Sequence, residues 1–397
     1  MKTAYIVDIV RTPIGKYGGA LSSVRPDDLA AGVIRDLVKR NGSLELSQNE
    51  DVVFGAANQS GEDNRNDARM ALLLAGLPTS IAGATVNRLC ASGLQAIMNA
   101  AQGILTDNGD VYIAGGVESM SRAPFVLPKS DEPFSRKAEI FDTTFGWRFV
   151  NPALSKLHHP FTMGETAENV AEKWKITREE QDQFGFSSQE KYFKAEAAGK
   201  FREERISVEI NKGKESIVFS RDEYPRETSL EKLGGLKPAF REGGTVTAGN
   251  SSGINDGAAA SFIASEEVVR KNNLKPLARI VSMAVAGVDP AYMGVGPVPA
   301  TQKALKRADI NISNLGLVEL NEAFASQALA CIRDLDLDLD LVNVNGGSIA
   351  IGHPLGCSGV RISATLIHEM QKRKVKYGLA TMCIGVGQGA AIIYERC

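Results

Sequence analysis

The sequence predicts an α/β fold built from a duplicated unit, with an inserted segment in its first half. Three observations support this prediction. Short apolar runs alternate with segments of helical periodicity in residues 1–120, the same alternation returns after Pro276, and residues 121–249 lack it. A duplicated unit predicts two similar sheets packed about a pseudo-twofold axis, with the reactive turns of both halves meeting between them.

The first half begins with a strand and continues as alternating strands and helices. Pro26 followed by Asp27 and Asp28 marks the start of the first helix, because proline and acidic side chains are favoured in a first helical turn. In chain order we expect a strand at 4–10, a helix after Pro26, a strand at 51–55, a helix at 67–77, the end of a strand at 83–86, a helix from Leu94 and a strand at 110–116. This alternation favours a mainly parallel sheet covered by helices on both faces.

The middle of the chain differs from both ends. Residues 121–249 carry many prolines, both tryptophans and a charged, helix-rich stretch at 166–200. We interpret this region as an insertion lying over the sheet. A separate binding module is the alternative, and it is disfavoured because residues 243–260 return to small, buried-looking side chains. The predicted domains are residues 1–120 plus 250–272 for the N-terminal half, 121–249 for the inserted loop domain and 273–397 for the C-terminal half.

The pattern of the first half returns after Pro276. We expect a strand at 278–282, a helix at 301–308, and strands at 317–320, 341–344 and 377–382. The strand at 341–344 and the final strand both run into glycine-rich turns. The repeat is structural rather than literal, since few residues of the two halves match.

Composition and charge are those of an ordinary globular protein, with 43% hydrophobic and 23% charged residues. The net charge of -2 gives no electrostatic case for binding nucleic acid or an acidic membrane, although a local basic cluster could still hold a phosphate. The N-terminal apolar run is too short for a signal or membrane-spanning segment. We therefore expect a cytoplasmic protein that binds neither nucleic acid nor membrane.

The 5 cysteines are widely spaced and form no CxxC pair, so neither a disulfide framework nor a zinc site is indicated, and we expect no metal. Cys90 stands on a predicted strand-to-helix turn. Unpaired N–H groups and the positive end of the helix dipole favour a thiolate over a neutral thiol at such a position. The segment alone leaves open the alternative that Cys90 is a small buried apolar residue.

Three further candidates for chemistry lie in the second half. His353 occupies a tight glycine-rich turn before a predicted helix at 360–370, where small neighbours let a substrate approach the imidazole. Cys383 ends the final strand and is followed by glycines, and Asn321 begins a helix directly after a strand. The remaining histidines are expected at the surface: His158, His159 and His368.

Seven segments carry a resemblance that covers essentially the whole chain. In order they are NRLCASGLQA, GGVESMS, MGETAENVA, TVTAGNSSGINDGAAA, NEAFASQA, NVNGGSIAIGHPLGCSG and CIGVGQG. In this order and spacing they resemble the thiolase family. The resemblance implies a coenzyme A (CoA) thioester enzyme with a duplicated, five-layered α/β/α/β/α fold and a loop domain inserted in its N-terminal half.

The resemblance also implies roles for the reactive residues. Cleaving a 3-oxoacyl thioester between its α and β carbons requires a nucleophile at the β-carbonyl, donors for the oxyanion and an acid for the departing carbanion. Cys90 would be the nucleophile that holds the acyl group, and His353 the base that takes its proton or stabilises the thiolate. Cys383 would protonate the leaving acetyl-CoA enolate, or abstract the α-proton in condensation. His353 and a water on Asn321 would hold the enolate charge, while N–H groups of Cys90 and Gly385 would face the acyl oxyanion.

Substrate binding is assigned in part by the same resemblance. Ser252 matches the family serine that contacts the pantetheine arm of CoA. Four apolar side chains could line the acyl pocket or simply form core, and these are Met163, Phe240, Met293 and Phe324.

The insertion should carry the adenine and phosphate end of CoA, with Arg221, Arg226 and Lys232 as unranked candidates. Two positions depart from the family pattern. Val386 stands where Gly is commonest, and Thr162 stands where some members carry a histidine that contacts pantetheine. Neither departure removes a catalytic group, and both leave the chain-length preference open.

The leading hypothesis is CoA-dependent thiolysis of 3-oxoacyl-CoA by an acetyl-CoA C-acyltransferase, as in fatty-acid β-oxidation. Alternatives are acetoacetyl-CoA formation from two acetyl-CoA, and 3-oxoadipyl-CoA cleavage, because residues 142–152 resemble members that cleave it. Two alternatives of other classes are disfavoured. A decarboxylating ketoacyl synthase normally needs a second catalytic histidine, and Cys383 stands in its place here. A non-catalytic acyl-CoA-binding relative would not need Cys90, His353, Cys383 and Asn321 together. We expect CoA and acyl-CoA as substrates, no permanently bound cofactor, and a homodimer or homotetramer.

Overall fold

The protein has the predicted α/β architecture, described by a computed structural model for residues 2–213 and 215–397. The strands are β1 Ala4–Arg11, β2 Gly15–Lys16, β3 Asn49–Gly55, β4 Ala82–Val86, β5 Val111–Ser119, β6 Phe125–Val126, β7 Phe141–Asp142, β8 Val208–Lys212, β9 Glu215–Phe219, β10 Asn255–Ser265, β11 Ala278–Gly287, β12 Leu315–Leu320, β13 Tyr377–Ile384 and β14 Gln388–Arg396. The α-helices are α1 Pro26–Arg40, α2 Asp67–Leu74, α3 Ser92–Leu105, α4 Pro152–Leu157, α5 Met163–Lys173, α6 Arg178–Ala197, α7 Leu230–Gly234, α8 Glu266–Lys271, α9 Pro297–Ala308, α10 Ala325–Leu335, α11 Ser348–Ile351 and α12 Leu355–Arg373. Within these described residues, no helix combines the length and the apolarity needed to cross a membrane.

Strands from both halves form one continuous 10-stranded sheet. Its order is β12-β13-β14-β11-β1-β10-β5-β3-β4, with β2 paired to β10. The halves meet where β1 and β11 pair over two positions, Tyr5 with Arg279 and Ile6 with Ala278. The predicted two sheets are therefore joined at one edge. The duplication is visible in the strand order, since β1, β10, β5 and β3 correspond to β11, β14, β13 and β12.

The prediction of a mainly parallel sheet is wrong. Among the described strands of this sheet, only β3 with β4, β3 with β5 and β12 with β13 run parallel. Two long strands, β10 and β14, were not predicted because their small alanine and glycine residues hide the apolar alternation. Only three residues join β13 to β14, and so short a connection requires the two strands to run antiparallel.

The prediction of a strand at 341–344 is also wrong, because no full strand forms at these described residues. Its place is marked by a single parallel bridge between Val318 and Val342. The bridge lies beside β12, at the position that β4 occupies beside β3 in the first half. The second half therefore keeps the duplicated arrangement, but its edge strand is reduced to this single bridge.

Apolar cores separate five layers, as the fold class predicted. Helices α1 and α2 pack on the first-half strands, and α9 and α10 pack on the second-half strands. The largest core joins α3 and α12 to strands of both halves. The order is therefore helix, sheet, helix, sheet, helix, and α3 and α12 form the middle layer.

The chain between β5 and β10 carries α4–α7 and two short hairpins, β6 with β7 and β8 with β9. A buried ion cluster holds it against β1. Arg11 donates from Nε to Glu204 at 2.7 Å and from Nη1 to Asp222 at 2.6 Å, and Arg205 donates to Asp222 at 3.1 Å. Charges of both signs are hydrogen-bonded here, which offsets the cost of burying them.

Candidate active site

Cys90 lies on the turn between β4 and α3. Leu89 has a positive φ of 48°, which directs the chain from the strand into the helix. The Ser92 hydroxyl donates to the Leu89 carbonyl at 2.6 Å and accepts from the Arg88 N–H at 2.9 Å, so a single side chain holds both ends of the turn. Cys90 is only half-buried and contributes to the wall of a cavity.

The two middle-layer helices bring His353 to the same place. A Cβ built on Gly93 would lie 2.5 Å from the Gly356 carbonyl oxygen, and one on Gly359 would lie 2.2 Å from a backbone nitrogen of α3. The helices thus contact each other at glycines near their N-terminal ends, where no side chain could fit. Cys90 and His353 each stand two residues before one of these helices, one from each half.

The hydrogen bonds around His353 assign its tautomer. Its Nδ1 is 2.6 Å from the Ser358 hydroxyl, which donates its own proton to the Pro354 carbonyl at 2.8 Å. Ser358 must therefore accept from Nδ1–H, and Nε2 is left with a free lone pair. Asn255 of β10 accepts the His353 backbone N–H at 3.0 Å and fixes the main chain of the turn.

Asn321 approaches the other ring nitrogen. Its Nδ2 lies 3.4 Å from His353 Nε2, and its Oδ1 accepts from the Ser348 hydroxyl at 2.6 Å. Ser348 in turn accepts from Nη2 of the buried Arg361 at 2.6 Å. This chain orients the Asn321 amide so that its N–H₂ group, a donor, points to the unprotonated Nε2.

Cys383 and Gly385 reach the site from the β13–β14 hairpin. Cys383 is buried in a cluster with Met293 and Phe324, and Met163 packs against that cluster. The backbone N–H groups of Gly385 and of Cys90 itself favour the ionised form of the Cys90 sulfur and lower its pKa. These are the two N–H groups for which the family resemblance implies a role in binding an oxyanion. The hairpin therefore adds a second thiol and a hydrogen-bond donor beside the first thiol.

Burial determines the protonation of these groups. Burial raises the pKa of the Cys90 thiol to about 11, although the N–H donors of Gly385 and Cys90 oppose it. Burial, and after it the positive charge of Arg361, lowers the pKa of His353 to about 3. Burial also raises the pKa of Cys383 well above its ordinary value, with neighbouring Cys90 adding to the effect. This burial disfavours the thiolate expected at Cys90 from its helix terminus, because lost hydration outweighs the N–H donors.

This arrangement is suited to acyl transfer. A neutral thiol has a neutral imidazole from the other half as its candidate base, and N–H groups surround the sulfur. A second thiol, which is influenced by the charge state of the first, can supply or remove another proton. The geometry thus offers candidates for a nucleophile, a base, oxyanion donors and a second acid.

The cavity beside Cys90 has a volume of about 480 Å³ and a mostly apolar wall. Part of that wall comes from the insertion, in the segment 143–149, whose side chains were not predicted as site residues. The lining residues are Ala57, Asn58, Leu89, Cys90, Glu118, Met120, Ala123, Thr143, Thr144, Phe145, Gly146, Trp147, Arg148, Phe149, Thr162, Met163, Leu355, Gly385 and Val386.

Glu118, on the cavity wall, forms hydrogen bonds with residues of both halves of the chain. Its carboxylate accepts from the backbone N–H groups of Ala57, Asn58 and Gly356 at 2.8–2.9 Å. The residue lies inside the motif GGVESMS, and Ser358 and Asn255 lie inside two other quoted motifs. Their place inside these motifs was the signal that could have identified all three.

The predicted substrate-binding residues do not all line this cavity. Met163 does. Met293 and Phe324 are buried beside Cys383 instead, and Phe240 contacts Phe324 edge-on with ring centroids 6.0 Å apart. Ser252 lies next to this cluster, since its N–H donates to the Ala323 carbonyl at 3.0 Å. These residues border Cys383 rather than the open side of Cys90.

The basic candidates for CoA phosphates are all exposed. Arg226 donates to the Tyr224 hydroxyl at 3.3 Å and covers its ring, near the loop that holds Ser252. Arg221 lies 3.7 Å from Glu196, and Lys232 lies on the short helix α7.

The remaining histidines differ in burial. His158 and His159 are exposed, as predicted. The surface position predicted for His368 is wrong, because this side chain is buried on α12 and its Nε2 lies 3.1 Å from the Ile9 carbonyl oxygen.

Comparisons with known proteins cover both halves of the chain. Residues 4–267 match the family described as "Thiolase, N-terminal domain", and residues 274–396 match "Thiolase, C-terminal domain". The chain is 56% identical to a "3-oxoadipyl-CoA/3-oxo-5,6-dehydrosuberyl-CoA thiolase" of Escherichia coli K12 over 100% of both chains. It is 52% identical to a "Beta-ketoadipyl-CoA thiolase" of Pseudomonas aeruginosa, over 100% of this chain and 99% of the relative.

Two solved structures have the same fold over the whole chain. The acetyl-CoA acetyltransferase of Bacillus anthracis aligns with a TM-score of 0.94 and 44% identity, over 100% of this chain and 99% of that one. Human mitochondrial 3-ketoacyl-CoA thiolase in complex with CoA aligns with a TM-score of 0.92 and 42% identity, over 100% of this chain and 98% of that one.

Proposed function

This chain belongs to the thiolase family, and from that premise we propose that it cleaves 3-oxoadipyl-CoA with free CoA to acetyl-CoA and succinyl-CoA. The observation that carries this choice of substrate is the difference in identity among its relatives. Proteins named for 3-oxoadipyl-CoA or beta-ketoadipyl-CoA are 56% and 52% identical to it. Relatives named acetyl-CoA acetyltransferase or 3-ketoacyl-CoA thiolase are 41–45% identical.

The insertion supports the same choice. Residues 142–152 resemble members that cleave 3-oxoadipyl-CoA, and part of this segment lines the cavity beside Cys90. The broader expectation, thiolysis of 3-oxoacyl-CoA as in fatty-acid degradation, shares the reaction class and has less support for its substrate. Condensation of two acetyl-CoA would be the reverse chemistry at the same residues.

In the first half-reaction, the Cys90 sulfur attacks the C3 carbonyl of the substrate while His353 Nε2 takes the thiol proton. The N–H groups of Cys90 and Gly385 stabilise the oxyanion that forms on C3. The bond between C2 and C3 then breaks, and its electron pair passes to the acetyl-CoA enolate. His353 and Asn321 stabilise the enolate oxygen, and the Cys383 thiol donates its proton to C2.

In the second half-reaction, free CoA releases the succinyl group from Cys90. The Cys383 thiolate takes the proton of the CoA thiol, and the CoA sulfur attacks the acyl-enzyme. Cys90 leaves with the proton that His353 returns, and succinyl-CoA is formed. Both starting thiols of the protein are regenerated, so no redox cofactor or metal is needed to balance the reaction.

CoA is then a substrate rather than a bound cofactor. Ser252 would contact its pantetheine arm, with Met293, Phe324 and Phe240 along the approach to Cys383. Its phosphates would meet one or more of the exposed basic residues of the insertion, which are Arg221, Arg226 and Lys232. A cytoplasmic homodimer or homotetramer is part of the same proposal.

The test is a rate comparison on the intact protein. Loss of the 3-oxo thioester is followed with 3-oxoadipyl-CoA, acetoacetyl-CoA and straight-chain 3-oxoacyl-CoA substrates, each with free CoA, and products are identified by chromatography. We expect the highest kcat/KM for 3-oxoadipyl-CoA. CoA-dependent turnover that favours the straight-chain substrates would reject the proposed substrate, and absence of turnover with all of them would reject the activity.

A pair of variants tests the division of roles. Cys90→Ala should abolish acyl-enzyme formation, whereas Cys383→Ala should still be acylated by an activated thioester. Equal loss of acylation in both variants would contradict the separate roles of the two thiols.

A further inference from the structure

The Cys90 cavity holds one cationic side chain. Among the described residues that line it, Arg148 is the only lysine, arginine or histidine. Its guanidinium forms no hydrogen bond or ion pair with any part of the chain that the structure describes, and the side chain is half-buried. An arginine offers five N–H donors in a planar fork that matches a carboxylate. An unpaired arginine in a mostly apolar cavity therefore points to an anionic ligand group.

The segment around Arg148 is held in place on both sides. The Thr143 hydroxyl donates to the Pro124 carbonyl at 2.6 Å, and the Trp147 indole N–H donates to the Phe161 carbonyl at 2.9 Å. The Phe149 ring packs against Phe141 with centroids 5.0 Å apart. Phe149 also has a positive φ of 50°, a strained conformation for this residue type. The backbone that carries Arg148 is thus positioned before any ligand binds.

Two other polar groups of the cavity, Asn58 and Glu118, are already hydrogen-bonded. Asn58 donates from Nδ2 to the Thr143 hydroxyl at 2.9 Å. The Glu118 carboxylate, which would repel an anion, accepts three backbone N–H groups. Among the described lining residues, Arg148 is the cationic group that can recognise a negatively charged substrate atom.

We propose that Arg148 binds the terminal carboxylate of the acyl chain and so selects dicarboxylic over fatty 3-oxoacyl-CoA substrates. The acyl group is attached to the Cys90 sulfur on the cavity wall, and a succinyl chain carries its carboxylate only about 4 Å from the thioester carbon by ordinary bond lengths. A bidentate arginine–carboxylate pair in a partly dry cavity is a strong, directional contact. The inference rests on the proposed function and names the group that determines its substrate class.

The experiment compares substrates that differ only at the chain end. Ratios of kcat/KM for 3-oxoadipyl-CoA and the methyl-ended 3-oxohexanoyl-CoA are measured for the wild-type protein, Arg148→Met, Arg148→Lys and the control Arg136→Met. Arg136 is an exposed arginine of the same insertion that does not line the cavity. Unfolding in urea verifies that the variants are folded.

We expect Arg148→Met to lower this ratio roughly 10- to 150-fold, the range for a hydrogen bond to a charged group. Arg148→Lys should restore part of it, and Arg136→Met should leave it at the wild-type value. An equal loss on both substrates would overturn the proposal. A raised KM for free CoA with an unaltered ratio would assign Arg148 to the CoA phosphates and overturn it as well.

A second readout separates this proposal from the proposed function. Acylation of Cys90 by succinyl-CoA and by butyryl-CoA is measured by mass spectrometry and needs no 3-oxo substrate. If the wild-type protein does not cleave 3-oxoadipyl-CoA but prefers succinyl-CoA, and Arg148→Met removes that preference, the proposed function fails and the role of Arg148 stands. If neither substrate pair shows a preference that depends on Arg148, the role of Arg148 is rejected.

Discussion

Replacing Ser358 with alanine should slow the acylation of Cys90 without unfolding the protein. The Ser358 hydroxyl accepts the Nδ1 proton of His353 at 2.6 Å, and this bond keeps Nε2 free to act as the base. In Ser358→Ala the buried Nδ1–H loses its partner, which costs about 1–3 kcal/mol. The ring can avoid that cost by moving its proton to Nε2, which removes the base. Either way the acylation rate should fall by roughly 5- to 150-fold.

Ser363→Ala is the matched control. Ser363 lies on the same helix, donates to the carbonyl four residues earlier at 2.8 Å as Ser358 does, and accepts from the Tyr394 hydroxyl at 3.0 Å. It therefore reports the structural cost of losing a buried serine hydroxyl without touching His353. Acylation rates are measured in rapid-quench single turnovers, together with kcat and the KM for CoA. Equal rate losses in both variants would refute the assignment of the His353 tautomer to Ser358.

Three further predictions follow from strain, buried charge and protonation. Val386 has a φ of 63°, a backbone conformation that costs a β-branched residue about 1–2 kcal/mol. Val386→Gly should therefore leave the free energy of unfolding in urea unchanged or raise it. A clear decrease in that free energy would contradict the inferred strain. Arg11→Met leaves two buried carboxylates without their main partner and should lower the free energy of unfolding by about 3–5 kcal/mol. The control Arg221→Met, at an exposed arginine, should change it little. Similar effects of the two substitutions would contradict a stabilising role of the buried ion cluster. The pKa of Cys90 is raised to about 11, so the fraction of thiolate grows as the pH rises. The rate of Cys90 alkylation by iodoacetamide should therefore still be increasing at a pH of about 9. A rate that reaches its plateau near neutral pH would mean that the thiolate is already present there.

The positions of the reactive groups could be predicted because each has a local signature. Cys90 and His353 stand on turns rich in small residues just before a helix, and Cys383 stands near the end of a strand that runs into glycines. Duplication of the element order then predicted that turns from both halves meet. The contacts of Gly93 and Gly359 between α3 and α12 are the physical means of that meeting.

Protonation could not be predicted in the same way. A helix terminus is visible in sequence, but the loss of water around Cys90 and His353 depends on packing from distant segments. The same limit explains His368, whose imidazole is covered by the β1 region nearly the whole chain away. Arg148 was also missed, since nothing local in the sequence shows that residues 143–149 line the same cavity as Cys90.

The most direct test of the mechanism is to identify the covalent intermediate. The protein is mixed with 3-oxoadipyl-CoA in the absence of free CoA, quenched with acid, digested and analysed by peptide mass spectrometry. The account predicts a succinyl group on Cys90, with acetyl-CoA released in equal amount. A succinyl group on Cys383 or another residue, or acetyl-CoA release with Cys90 unmodified, would contradict it.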